Sequence, residues 1–381
     1  MPLLVFAAAI GLVYLAQVLF FRSYWSKGLD VELQFSKPAI RAGEQVVLKE
    51  TVRNRKSIPL HCLRVTLAVE RLLEAVRSEN TSFSDYSYRS EVFSLESYEE
   101  VERLMEFYCV KRGYIRVGEV KVSSQDLFYT QTFSHFIPTQ TELFIYPSAV
   151  DSRSLLVLSR HIIGEMLMRQ AEFEDPFSFR GIRPYTIGDP LKIINWNASA
   201  RAMDLQVNLF EPAAEREVVI ITDLAWDQLI FPEDLIEEGI SLSASLFETL
   251  AGEGIATALV SNALDQEGRR SANVLPGAGE HHVVAAFRTL AKVKVDDQNQ
   301  PMPTTELLQA LIEERQGDKQ KNTVYVLITS QNNASLIEAW NRFSAELDQG
   351  LYVFLKRKTE SHEWASQVAT DTWIWELGHA D

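Results

Sequence analysis

Cysteine is nearly absent and cationic residues are in deficit. The 381 residues include only Cys62 and Cys109, with 37 basic against 52 acidic side chains and a net charge of −15. Two thiols in separate apolar, strand-like runs build no disulfide framework. Each is expected to be a small buried hydrophobe, and the count fits a reducing compartment. A chain this acidic lacks the cationic surface that a phosphate backbone requires, so no nucleic-acid partner is expected. The short signatures of common catalysts are missing as well: there is no G-x-S-x-G elbow, no H-E-x-x-H pair and no P-loop. His281 and His282 adjoin, but adjacent helical residues do not face each other, so they are expected as polar residues at a helix start rather than a metal pair. The expectation is a protein that is not an enzyme.

What is present begins with one long apolar run, Leu3 to Phe21, interrupted only by Gly11, Tyr14 and Gln17. As a helix it spans about 28 Å, close to the hydrocarbon thickness of a bilayer. Residues 1–25 are therefore expected to form a transmembrane anchor that meets the lipid bilayer through residues 3–21. A cleaved signal peptide and a buried core helix are the alternatives; the first wants a basic stretch before the apolar run, and only Met1 and Pro2 precede it. Phe20, Phe21, Tyr24 and Trp25 stand where an interfacial aromatic belt belongs. Arg22 and Lys27 follow the run and no basic residue precedes it, which places the bulk of the chain in the cytoplasm of a single-pass protein of the cell membrane.

From residue 28 to 148 the apolar period is two. Leu29, Val31, Leu33 and Phe35 alternate with polar residues, as do Leu63, Val65, Leu67 and Val69. Turn signals recur at Ala42-Gly43, Asn54, Ile58-Pro59, Arg112-Gly113 and Gly118, which predicts an antiparallel β-sandwich domain. Ser78 to Ser90, rich in Ser and Tyr, reads as a long hairpin loop or a ragged edge carrying Phe83, Tyr86 and Tyr88.

From residue 216 to 381 the pattern is different. Val218 to Ile221 is a continuous β-branched run, the mark of a strand buried on both faces. Leu235, Leu242, Leu246 and Leu250 then predict an amphipathic helix stopped near Gly252 and Gly254. Strands over 255–260, 324–329, 351–355 and 373–377 alternate with helices over 282–293, 305–314 and 336–347. The implied fold is an α/β doubly wound, mostly parallel sheet with its ligand site at the carboxyl ends of the strands, where Asp223 and Ser330 lie.

Residues 149–215 join these regions as a linker that holds the densest motif of the chain, Arg183-Pro-Tyr185-x-x-Gly188-Asp189 followed by Ile194-Asn-Trp196 and Ser199-Ala-Arg201. Gly188 permits a tight turn. Asp189 is placed to cap a helix from Pro190 to Ala200, with Leu191, Ile194 and Ala198 on one face and Arg201 near its carboxyl end. Leu205, Val207 and Leu209 then predict an edge strand. Capping and packing make this a structural junction. Arg183, Tyr185 and Trp196 are also residue types enriched at interface hot spots, so partner contact stays open beside it.

That motif resembles the signature of the domain-of-unknown-function fifty-eight family, with support from Arg112-Gly113-Tyr114, Gly118, Asp126-Leu-Phe128 and Leu143-x-x-Tyr146-Pro147. The resemblance implies a bacterial membrane anchor, a β-rich domain, the signature and a von Willebrand factor A-like domain. It also implies work beside a MoxR-type AAA+ ATPase in the assembly or maturation of a protein complex. A-like domains often hold Mg²⁺ at their strand ends through an Asp-x-Ser-x-Ser loop, a distant Thr and a distant Asp. Here Asp223 matches, Ala225 and Asp227 replace both hydroxyls, Thr305 resembles the Thr position and Ser330 takes the later Asp position. The expectation is no cofactor, with a degenerate Mg²⁺ site at Asp223, Asp227, Thr305 and Ser330 as the alternative. The leading functional expectation is a membrane-tethered protein-binding adaptor. A metal-dependent adhesion module binding Mg²⁺ or Ca²⁺ and a hydrolase using a strand-end Asp are the alternatives.

Overall fold

The apolar run folds as one helix, α1 (Pro2–Tyr24), in a computed structural model that describes residues 2–70, 72–76, 81–83, 86–150, 153–170, 174–212, 216–228, 230–263, 273–295, 300–315, 322–347, 350–360 and 363–378. Residues 1–148 and 149–381 form two units. Leu3 to Tyr24, with a mean hydropathy of 2.4, is long and apolar enough to cross a bilayer. The two halves of α1 differ. Leu3, Leu4 and Phe6 are exposed, whereas Val18 and Phe21, together with Trp25 just past the helix end, are buried. Their spacing of three and four residues puts them on one face, against the β-rich part of the same unit. This corrects the expected aromatic belt: Phe21 and Trp25 belong to the protein core, and only Phe20 and Tyr24, stacked at 5.5 Å, remain exposed. Apolar packing is available to these two rings inside the unit, so they do not need the membrane interface.

After α1 come β1 (Leu29–Phe35), β2 (Ala39–Arg41), β3 (Gln45–Asn54), β4 (Leu60–Glu70), β5 (Leu73–Ala75), β6 (Thr81–Phe83), β7 (Tyr86–Leu95), β8 (Glu100–Cys109), β9 (Gly113–Gln125) and β10 (Thr132–Tyr146). They pair as a four-stranded sheet, β1-β3-β8-β5, and a six-stranded sheet, β2-β10-β9-β4-β7-β6. Every pairing is antiparallel except β2 with β10. The alternation in β1 is realised, with Leu29, Val31, Leu33 and Phe35 buried. They share one core with Leu48 and Val52 of β3 and with Leu63, Val65, Val120, Val122, Leu143 and Ile145 of the other sheet. Fully buried leucines such as Leu48 and Leu63 each contribute about 1.5–3 kcal/mol of transfer free energy. Of the two readings of Ser78 to Ser90, a sheet edge rather than a loop is what forms, with β6 outermost in its sheet. It contains β6 and the start of β7, which pairs with β4 from Tyr86↔Glu70 onward, where Thr, Phe and Tyr suit a pleated surface. The side chains of Phe83, Tyr86 and Tyr88 lie outside the described residues. Cys62 and Cys109 are free thiols; burial pushes the Cys109 thiol up to about 11.

In the second unit the segment read as a linker begins with a helix, α2 (Arg153–Gln170). Its residues Leu155, Leu158, Ile162 and Met166 are buried at helical spacing. An antiparallel ribbon follows, β11 (Glu174–Pro184) with β12 (Gln206–Pro212), enclosing a short 3-10 turn at Leu191–Ile193 and the helix α3 (Trp196–Ala202). Then come β13 (Arg216–Thr222), α4 (Glu233–Gly252), β14 (Ala256–Ser261), β15 (Asn273–Gly277), α5 (Glu280–Lys292), α6 (Thr304–Arg315), β16 (Asn322–Thr329), α7 (Ala334–Leu347), β17 (Gly350–Lys356) and β18 (Asp371–Glu376). Their sheet runs β15-β14-β13-β16-β17-β18. It is parallel throughout except for the β15 edge, a strand that alternation alone did not reveal. Val219, Ile221, Tyr325, Leu327, Tyr352 and Phe354 pack on one face with α6 and α7. The opposite face receives α4: a Cβ on Gly239 would come within 2.8 Å of the Leu355 side chain, so the glycine lets the helix lie close to the sheet without displacing that side chain. The fold is thus mixed α/β, with β13 central and its carboxyl end delivering Asp223.

Candidate functional site

The signature folds as an arm. Antiparallel pairing of Arg183 with Val207 and Pro184 with Gln206 closes its base. Tyr185, half-buried, extends the ribbon by donating its N–H to the Leu205 carbonyl at 2.9 Å. Gly188 adopts φ +112, a left-handed backbone that other residues rarely take, as the turn expectation required. Asp189 is not a helix cap. Both its oxygens accept from the Arg183 guanidinium at 2.7 Å, and Oδ2 accepts from the Thr186 N–H at 2.8 Å and the Thr186 hydroxyl at 2.9 Å. The Arg183 side chain beside Asp189 holds its carboxyl well below the usual carboxylate range.

The single helix expected from Pro190 to Ala200 is two pieces, because Ile194 is extended and bridges to Val207. Asn195 supplies the true cap, its Oδ1 accepting from the Ala198 N–H at 2.9 Å. Arg201 lies in the last turn of α3, where a cation complements the helix dipole. The expected packing face is only partly built: Ile194 is buried, but Leu191 is exposed. Trp196 is exposed too, as are Ile187 and Met203, with relative exposures of 67%, 103% and 96%. Hydrogen bonds hold the arm's backbone while its largest apolar side chains face outward. An asparagine just before Trp196 was the readable signal for the cap; a carboxylate six residues from an arginine had no equally local one.

At the carboxyl end of β13, Asp223 is 3% exposed. Oδ1 accepts from the Ala225 N–H at 2.9 Å, Asn262 Nδ2 at 2.9 Å and Thr304 Oγ1 at 2.5 Å. Oδ2 accepts from Thr329 Oγ1 at 2.6 Å and Gln331 Nε2 at 2.8 Å. Complete burial raises this carboxyl above its ordinary range, against the pull of the hydroxyl and amide donors. The sequence-expected neighbours shift by one residue each. Thr304, the first residue of α6, and Thr329, the last of β16, reach Asp223. Thr305 and Ser330 make no hydrogen bond to it among the described residues. Strand alternation explains the second shift, since Thr329 and Ser330 point to opposite faces. Asp227 is exposed, its Oδ2 3.4 Å from Asn333 Nδ2.

A divalent cation would need converging oxygen lone pairs. Here Asn262 and Gln331 turn amide N–H groups to the carboxylate, both threonine hydroxyls donate protons to it, and Ala225 carries no ligand atom. The residues present do not fit the degenerate Mg²⁺ site. A polar cavity of about 190 Å³ lies alongside, lined by Trp226, Thr304, Thr305, Gln331, Asn333 and Ser335 among others. Near the amino ends of the strands, His161 and Glu165 of α2 and Asp371 of β18 bring ligand-type atoms within 4.8 Å of one another. Asp371 is exposed and sits 3.5 Å from His161 Nε2, an ion-pair geometry when the imidazole is protonated.

Residues 181–349 match the family described as "Protein of unknown function DUF58". The "Uncharacterized protein YeaD" of Bacillus subtilis (strain 168) is 23% identical over 278 residues, covering 72% of this chain and 64% of that protein. The chain therefore aligns with under two-thirds of that relative's length. Among solved structures, a CARDB domain from Pyrococcus furiosus in complex with di-metal ions is 12% identical at a TM-score of 0.18, covering 31% of this chain and 96% of that one. An inactive mutant of a GH20 exo β-N-acetylglucosaminidase from Vibrio harveyi is 9% identical at a TM-score of 0.26, covering 92% of this chain and 91% of that one. At such TM-scores neither likeness carries an argument about fold, ligand or activity.

Proposed function

We propose that this chain, whose residues 181–349 match the DUF58 family, is a membrane-tethered adaptor whose signature arm docks a MoxR-type AAA+ ATPase during assembly or maturation of a protein complex. One observation carries the reading: Ile187, Leu191, Trp196 and Met203 are all exposed on a backbone fixed by the Arg183–Asp189 pair and the Asn195 cap. Apolar side chains held outward by a rigid scaffold suit recognition, because little conformational entropy is lost on docking. The partner's identity comes from the family resemblance. The chain acts as a binding protein and not as an enzyme, since Asp223, the strand-end carboxylate of the central strand, has both oxygens engaged by protein donors.

In this reading the β-rich part of the first unit is a β-sandwich, supported by two sheets with a common core. The second unit is a doubly wound, von Willebrand factor A-like domain, supported by parallel strands with helices on both faces and an Asp after the central strand. The bulk of the chain lies in the cytoplasm, supported by Arg22 and Lys27 beyond the apolar run; digestion of that bulk from outside sealed, right-side-out vesicles would reverse the orientation. The test of the adaptor is co-elution of the purified ATPase with the full chain in nanodiscs. Trp196→Ala is expected to weaken binding by about 2 kcal/mol or more, roughly 30-fold, with an unchanged melting temperature. Undiminished binding removes the arm from the interface. The adhesion-module alternative requires heat on titration with Mg²⁺ or Ca²⁺. The hydrolase alternative requires turnover that is lost in Asp223→Ala.

A further inference from the structure

We infer that the β9–β10 hairpin tip, Leu127-Phe128-Tyr129, is a second membrane-contact element that enters the bilayer beside α1; the inference rests on the reading of α1 as the membrane tether. These three residues are consecutive, apolar or aromatic, and 59–61% exposed. Among the described residues more than half of each side chain is left uncovered, yet they lie next to the helix read as the membrane tether. Tyr14 of α1 shares a hydrogen bond of 2.9 Å with Thr130 Oγ1, and its ring sits 6.3 Å from that of Phe128. Ala9, Ile10 and Val13 complete an apolar groove with Phe128 and Thr130. Tyr14 lies seven residues inside Phe21, roughly 10 Å along the helix axis. A tip held at that level therefore shares the depth of the apolar run rather than the aqueous side.

Lipid admits backbone only when its polar groups are satisfied internally, and this tip meets much of that demand. The Asp126 carboxylate, 1% exposed, accepts from Thr130 N at 2.6 Å, Thr130 Oγ1 at 2.7 Å and Gln131 N at 2.9 Å. Tyr129 N donates to Asp126 O at 2.9 Å, and Asp126 N to Gln131 O at 3.1 Å. Tyr129 takes the left-handed conformation, φ 58, and is held there by this network, which keeps the three side chains splayed outward. The composition agrees: from Val122 to Gln140 the only Asp, Glu, Lys or Arg is the buried Asp126. A partner-protein surface would have no reason to be level with the anchor. A lipid surface does, because the anchor fixes its position.

The experiment uses the full chain in phosphatidylcholine vesicles with an environment-sensitive fluorophore at one introduced cysteine, in a Cys62→Ser background with Cys109 left buried. Reporters are Phe128→Cys at the tip, Leu12→Cys in α1 and Val110→Cys in the β8–β9 connection, at the opposite end of β9 from the tip. The expected result is a blue shift and strong quenching by acyl-chain nitroxide lipids at 128 and 12, and neither at 110. Quenching at 12 with 128 behaving like 110 overturns the tip proposal and leaves the tether intact. Absence of quenching at 12 removes the tether reading and the tip proposal with it. The unsubstituted chain gives an independent readout: a diazirine-bearing phosphatidylcholine is expected to crosslink within residues 122–153, the tryptic peptide that holds the tip. Crosslinks confined to the amino-terminal peptides overturn the proposal even if a cysteine variant fails to fold.

Discussion

Asp189 and Asp223 are carboxylates in opposite electrostatic settings, and their substitutions should behave differently. The folded pKa of Asp189 is depressed by Arg183 first, then by the Thr186 N–H. A depressed acid stabilises the fold above its unfolded value, near pH 4, and loses that contribution as pH falls through the lower folded value. Arm protection in hydrogen exchange should therefore stay flat between about pH 5 and 8 and decline only in more acidic solution. Asp189→Asn should remove that acid-dependent decline and loosen the arm at neutral pH; protection equal to that of the native chain would contradict the pairing. The folded pKa of Asp223 is raised by burial, so any stability linked to its protonation is present at low pH and is lost as pH rises through the raised value. At neutral pH its hydrogen bonds offset the cost of a buried charge. Asp223→Ala leaves two hydroxyls, two side-chain amides and the Ala225 N–H facing an apolar gap, and is expected to cost about 3–5 kcal/mol. Differential scanning fluorimetry of the solubilised chain reads this as a clear fall in melting temperature; an unchanged value would remove Asp223 as a structural hub.

Elements with strong periodicity are legible in the sequence. The Val218 to Ile221 run, the leucines of α4 and the helices α5, α6 and α7 follow from apolar spacing alone, because each buries a continuous face. Elements whose meaning depends on a partner were less legible. β15 is an antiparallel edge with only Val274 buried along its length, so its pattern has no period. α2 carried a readable stripe, Leu155, Leu158, Ile162 and Met166, inside a segment that polar flanks made look like a linker. At the candidate site the central Asp223 was legible from its place after a buried strand. Its neighbours were not, because one residue of register decides which threonine faces it. That register is testable. Thr304→Val, which deletes a hydroxyl donor to a carboxylate, should cost about 1.5–3 kcal/mol. Thr305→Val should stay within about 0.5 kcal/mol, as surface changes do. Equal effects in a thermal melt would return the role to Thr305.

At the scale of the whole chain, the β-rich core and the α/β sheet turn most of their hydrophobic residues inward, whereas α1, the Leu127-Phe128-Tyr129 tip and the signature arm hold large apolar side chains outside. Asp223 is enclosed by its own hydrogen bonds, whereas Ile187, Trp196 and Met203 have no internal use among the described residues. The account therefore assigns recognition to the arm and structure to the strand-end pocket. The direct test compares the affinity of a purified MoxR-type ATPase for nanodisc-held native chain, an Ile187→Asp/Trp196→Ala variant and a Thr304→Val variant. The account predicts that the arm variant loses binding while the pocket variant keeps it. Retained binding in the arm variant, with loss in the folded pocket variant, would contradict it.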